Sequence, residues 1–129
     1  MSFSLPVILL CLLVLSAFAT DITGMSPGDN STKNVIINLT ARDYAFNRST
    51  ITVPAGANVT INFNNTDLGM EHNFAVYGPA EANKIIFVGD EITGPNKITY
   101  NFEAPIKAGT YSFRCDDHPT QMRGNFIVQ

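Results

Sequence analysis

At 129 residues the chain suits one domain around one core. Its net charge is −3 and only 15% of its residues are charged, with no basic patch, which argues against nucleic acid as a partner.

The first element is Leu5 to Ala19 (LPVILLCLLVLSAFA), apolar and uncharged. It is shorter than the roughly 20 residues of a membrane span and ends in Ala17-Phe18-Ala19, an A-x-A cleavage pattern. Residues 1–19 therefore read as a secretory signal peptide, with an uncleaved N-terminal anchor as the alternative. No Lys or Arg precedes the apolar run. Cleavage after Ala19 leaves Cys115 as the only cysteine, which rules out a disulfide inside the domain. Residues 20–33 are polar, rich in Gly, Ser and Asn, and read as a flexible linker or tether.

From Asn34 to Gln129 the period is two, and a single domain is expected there. Val35, Ile37 and Leu39 alternate loosely. Val59, Ile61 and Phe63 alternate without fault against Asn58, Thr60, Asn62 and Asn64. Ile98, Tyr100 and Phe102 repeat the pattern, as do Tyr111 and Phe113. Turn signals separate the runs at Pro54-Ala-Gly56, Asp67-Leu-Gly69, Gly78-Pro79, Gly94-Pro95-Asn96 and Ala108-Gly109. The expected fold is all-β, an antiparallel sandwich or barrel of seven or eight strands. No long helix is expected; Ala80 to Ile85 has room for one turn.

Five N-x-S/T sequons begin at Asn30, Asn38, Asn47, Asn58 and Asn64. Asn58 and Asn64 have outward parity, where a glycan fits. An Asn/Thr-rich polar face is the plain alternative.

The chemistry concentrates in CDDHPTQM, residues 115 to 122. Parity with Tyr111 and Phe113 turns Cys115 inward at the end of its strand. Parity with Phe74 and Val76 turns His72 inward at the start of another. His118 and Met122 follow Cys115 in one loop. One thiolate, two imidazoles and one thioether form a soft donor set that selects copper; His2Cys with a long axial Met is the blue-copper arrangement. Zinc sites draw on Cys, His or carboxylate, not Met. Met70 is a competing thioether, read as apolar packing, and the Glu71 carbonyl is a weaker axial candidate.

ITVPAGANVTINFNN (51 to 65), EHNFAVY (71 to 77) and GTYSFRCDDHPTQMRGNFIV (109 to 128) carry a resemblance. Over most of Asn34 to Gln129 the sequence resembles a cupredoxin of the plastocyanin and amicyanin kind. The resemblance implies a Greek-key sandwich binding one type 1 copper ion through His72, Cys115, His118 and Met122. It also implies that Asn73 ties the His72 strand to the cysteine loop. Pro119 restricts the loop beside His118. In the family this second histidine reaches the surface through an apolar patch, so a redox partner protein would dock briefly around His118. The loop pattern C-x2-H-x3-M lies between the longer His-to-Met gap of plastocyanins and the shorter one of amicyanins. Asp116 and Asp117 depart from family loops. With Arg114 and Arg123 they read as a solvated rim, or as a docking patch for a charged partner. Gly124 reads as a close turn or bulge.

The implied function is one-electron transfer by a monomer outside the cytoplasm, whether secreted, periplasmic or at the cell surface. The alternatives are copper storage or delivery, a thiol enzyme using Cys115 and His118, and a metal-free adhesion sandwich. Copper oxidases need further histidines, and this chain has two.

Overall fold

The computed structural model describes residues 32–79 and 84–129. The signal or anchor segment, the linker up to residue 31, the sequon at Asn30 and residues 80–83 of the expected helical turn lie outside the described residues. Ile85 opens a strand. Among the described residues no helix is long and apolar enough to cross a membrane.

The strands are β1 (Asn34–Arg42), β2 (Ala45–Phe46), β3 (Thr50–Val53), β4 (Asn58–Asn65), β5 (Glu71–His72), β6 (Ala75–Tyr77), β7 (Ile85–Val88), β8 (Ile92–Thr93), β9 (Asn96–Glu103), β10 (Gly109–Arg114) and β11 (Arg123–Val128). Eight of these have three residues or more. One sheet runs β2-β1-β4-β9 and a second β3-β11-β10-β6-β7; β5 and β8 form a short pair. Not every pairing is antiparallel: β1 lies parallel to β4, and β11 parallel to β3. Side-chain alternation is blind to strand direction. The chain leaves the first sheet at β2, adds β3 to the second sheet, and returns through β4 in the direction of β1.

The two inner faces supply the core by strict alternation. Ile37, Leu39 and Ala41 from β1 meet Val59, Ile61 and Phe63 from β4, with Tyr111 and Phe113 from β10 and Phe126 and Val128 from β11. Phe63, Phe74, Phe113 and Phe126 are all at most 1% exposed. Burying each such side chain contributes about 1.5–3 kcal/mol. Outward positions of β1, β4 and β9 are joined by amide and hydroxyl pairs, including Asn62 to Asn38, Thr99 to Asn62 and Thr60 to Asn101. Of the described sequon asparagines, Asn38, Asn47 and Asn58 are exposed and Asn64 is half-buried.

Gly124 lies inside β11, opposite Phe113, rather than in a turn. A β-carbon there would run into the Phe113 ring and the Ser49 carbonyl. The close approach of the backbone to that ring is what excludes a side chain.

Candidate metal centre

Two separate stretches of chain supply the site. The first is the connection from β4 through β5 to β6. Asn65, the last residue of β4, is fully buried and organises the loop after it. Its Nδ2 donates to the Met70 and Ile92 carbonyls, both at 2.8 Å, and its Oδ1 accepts the Asp67 N–H at 3.0 Å. This loop delivers His72, whose side chain is 0% exposed. The second stretch is the β10–β11 loop. The Cys115 N–H donates to the Met122 carbonyl and the Met122 N–H to the His118 carbonyl, each at 2.9 Å, so the loop closes on itself. Cys115 and Met122 are buried and His118 is half-buried.

Three side chains converge. Cys115 Sγ lies 3.8 Å from His72 Nδ1 and 3.7 Å from His118 Nδ1, and the two Nδ1 atoms are 3.2 Å apart. A point equidistant from all three atoms lies about 2.1 Å from each, close to the roughly 2.0–2.3 Å bonds of imidazole nitrogen and thiolate sulfur to a transition metal. The donor set and its spacing therefore fit a metal ion, which His72, Cys115 and His118 would hold together. Met122 brings its buried side chain to the end of the same loop.

Asn73 links the two stretches. Its Oδ1 accepts the Asp116 N–H at 2.8 Å, and its Nδ2 donates to the Gly89 carbonyl at 3.2 Å and to Asp116 Oδ2 at 3.3 Å. Asp116 does not sit on the solvated rim. Its carboxylate is only 25% exposed and also accepts from Tyr77 Oη at 2.8 Å and Arg114 Nε at 2.9 Å. The Arg114 guanidinium stacks on the Tyr77 ring, 4.1 Å from its centroid. Burial would raise the Asp116 carboxyl, but the donors of Tyr77, Arg114 and Asn73 outweigh it and hold the group below the usual carboxylate range. Asp117, by contrast, is exposed, and its carboxylate lies close to those of Glu71 and Glu91. Repulsion, chiefly from Asp117, raises the Glu91 carboxyl.

Two residues beside the site escaped the sequence. Asp67 Oδ2 lies 2.9 Å from His72 Nε2. Burial would raise its carboxyl as well. The Tyr44 N–H, the His72 ring and the Asp43 N–H reverse this and keep it below the usual range. Tyr44 presents its ring edge-on to both imidazoles, with centroids 5.0 Å from His118 and 5.9 Å from His72. Its hydroxyl donates to Met70 Sδ at 3.3 Å. Nothing local marks Asp67, five residues before His72 in a turn signal, or Tyr44, a lone aromatic ahead of β2. Pro119 is exposed beside His118.

A family model described as a cupredoxin-like domain matches residues 6–128. Auracyanin A, a "blue" copper protein from Chloroflexus aurantiacus, is 26% identical over 74% of this chain and 99% of its own, with a TM-score of 0.66. An auracyanin from Roseiflexus castenholzii is 24% identical over 73% of this chain and 96% of its own, with a TM-score of 0.64. Amicyanin from Paracoccus versutus is 24% identical over 81% and 86%, with a TM-score of 0.52. The last two share the fold. Comparison by sequence with curated proteins gives no match.

Proposed function

This chain belongs to the cupredoxin-like family, and on that premise we propose that His72, Cys115, His118 and Met122 hold its metal. The protein is a type 1 copper protein that carries single electrons between redox partners. One observation supports it above the rest: a thiol sulfur and two imidazole Nδ1 atoms converge within 3.2–3.8 Å from segments more than forty residues apart.

Copper, when bound, supplies the Cu(I)/Cu(II) couple. The chain's part is to present donors that do not move. Cys115 is held at the end of β10 and His72 at the end of β5. Met122 and His118 are tied to each other through the backbone. Donors fixed in a compromise arrangement cost little reorganisation when the charge of the ion changes. His118 is half-exposed, beside the exposed Pro119 and the 42% exposed Tyr44. Partner proteins meet the domain at this edge, in brief contacts of small area. The apolar run Leu5–Ala19 directs the domain outside the cytoplasm, as a cleaved signal or an anchor.

Adding Cu(II) to the purified protein while recording visible and electron paramagnetic resonance spectra tests the reading. An intense thiolate-to-copper band at one ion per chain is expected, and Cys115→Ser abolishes it. A parent protein that binds no copper, or a Cys115→Ser variant that keeps the band, contradicts the assignment.

A further inference from the structure

We propose that Asp67 is a positioning residue of this site, whose carboxylate orients His72 and pins Tyr44 over both imidazoles. The copper half of the proposal rests on the reading above.

One carboxylate serves three donors. Oδ2 accepts from His72 Nε2 at 2.9 Å and from the Tyr44 N–H at 3.1 Å, and Oδ1 accepts the Asp43 N–H at 2.7 Å. An ionised carboxylate only accepts, so the His72 proton sits on Nε2. Nδ1 then directs its lone pair toward Cys115 Sγ and His118 Nδ1, the one arrangement in which His72 serves as a donor at that point. A carboxylate behind a metal-bound imidazole also strengthens it as a ligand and favours the more highly charged ion.

The same group holds the β1–β2 hairpin. Asp43 and Tyr44 both adopt left-handed backbone, at φ 52° and 57°, which is uncommon for residues other than glycine. Their two N–H groups point together at Asp67. This turn carries the Tyr44 ring to its place over His118 and His72. Asp67 is itself held by the buried Asn65, whose Oδ1 accepts its N–H. The sequence of contacts runs from a core asparagine, through a carboxylate, to a metal-facing imidazole and the aromatic edge that covers it.

The test compares Asp67→Asn and Asp67→Ala with the parent. The Asn variant keeps a carbonyl that accepts from His72 Nε2–H but removes the charge; the Ala variant removes both. In the metal-free protein, nitrogen-15 NMR of the rings should show His72 as the Nε2–H form, with slow proton exchange, in the parent and in Asp67→Asn. Asp67→Ala should lose the slow exchange. Its His118 ring protons should also lose the shift that the Tyr44 ring current imposes. In the copper-loaded protein, Asp67→Ala should bind copper about 10-fold to 100-fold more weakly. Asp67→Asn should move the reduction potential to more positive values. Parent-like His72 exchange in Asp67→Ala, or parent-like copper affinity and potential in both variants, overturns the proposal. A parent that shows the His72 signature yet binds no copper upholds the positioning role and brings down the copper reading instead.

Discussion

Replacing Asn73 by alanine tests the link between the two halves of the metal centre. The side chain is 1% exposed. It accepts the Asp116 N–H at 2.8 Å and donates to the Gly89 carbonyl at 3.2 Å. Asn73→Ala leaves both backbone groups without partners, and an orphaned buried polar group costs about 1–3 kcal/mol. Asp116 is half-buried, so the share of its N–H is taken at the lower end, about 1 kcal/mol. Gly89 is buried, and its carbonyl accounts for about 2 kcal/mol. The sum of about 3 kcal/mol is a large part of the roughly 5–15 kcal/mol of a small domain. Urea unfolding of the metal-free protein, followed by circular dichroism, should show the midpoint falling by about 1–3 M at unchanged slope. A second variant separates hydrogen bonding from charge. Asn73→Asp keeps Oδ1 but sets a second carboxylate against Asp116 Oδ2, where the amide now donates at 3.3 Å. It should be less stable than Asn73→Ala at neutral pH and should recover as acid neutralises the new group. A loss below about 1 kcal/mol in Asn73→Ala would refute the reasoning, because it would mean that water replaces the amide at both partners.

Gly124→Ala should destabilise the domain by about 3 kcal/mol, the upper end for overpacking, since neither the buried Phe113 ring nor the Ser49 carbonyl, already accepting from Asn125 N–H, has room to yield. Thermal melting should fall by more than about 10 °C; a drop of only a few degrees contradicts the close approach. The Asp67 and Asp116 carboxyls are held below their ordinary 3.8 in the folded chain. A depressed folded value means their contribution is fully present above pH 3.8 and fades as pH falls through the depressed values. Urea midpoints of the metal-free protein should therefore decline below about pH 4, and Asp116→Asn should flatten that decline; a flat profile argues against it. If the exposed sequons at Asn38, Asn47 and Asn58 carry glycans, the native protein is heavier than the bare chain cleaved after Ala19. A mass equal to that bare chain removes the glycans.

Alternation made much of the architecture legible. Val59, Ile61 and Phe63 are all at most 1% exposed, and Cys115 shares the inward parity of Tyr111 and Phe113. Where alternation overreached, the cause is position in the sheet. Ile98 and Phe102 are only half-buried because β9 is the edge strand beside β4. Strand direction left no trace in the sequence, since a parallel and an antiparallel neighbour ask for the same faces. The polar surroundings of the site were illegible for a different reason. Asp67 meets His72 and Tyr44 through loop geometry, and Asp116 reaches Tyr77 and Asn73 across a sheet. Neither relation has a period.

These contacts brace the site from two sides. On one side Asn73 and Asp116 join the His72 segment to the cysteine loop. On the other, Asp67 holds the far nitrogen of His72. Cys115 directly follows the last paired residue of β10, Arg114, and is independently held by its N–H bond to the Met122 carbonyl. Loss of the Asn73 brace therefore leaves each donor with another support. It follows that Asn73→Ala should cost more in fold stability than in donor geometry, because β5 pairing and Asp67 still aim His72. Removing Asp67 should do the reverse, because Asn73 holds the backbone beside His72 but has no contact that sets its ring.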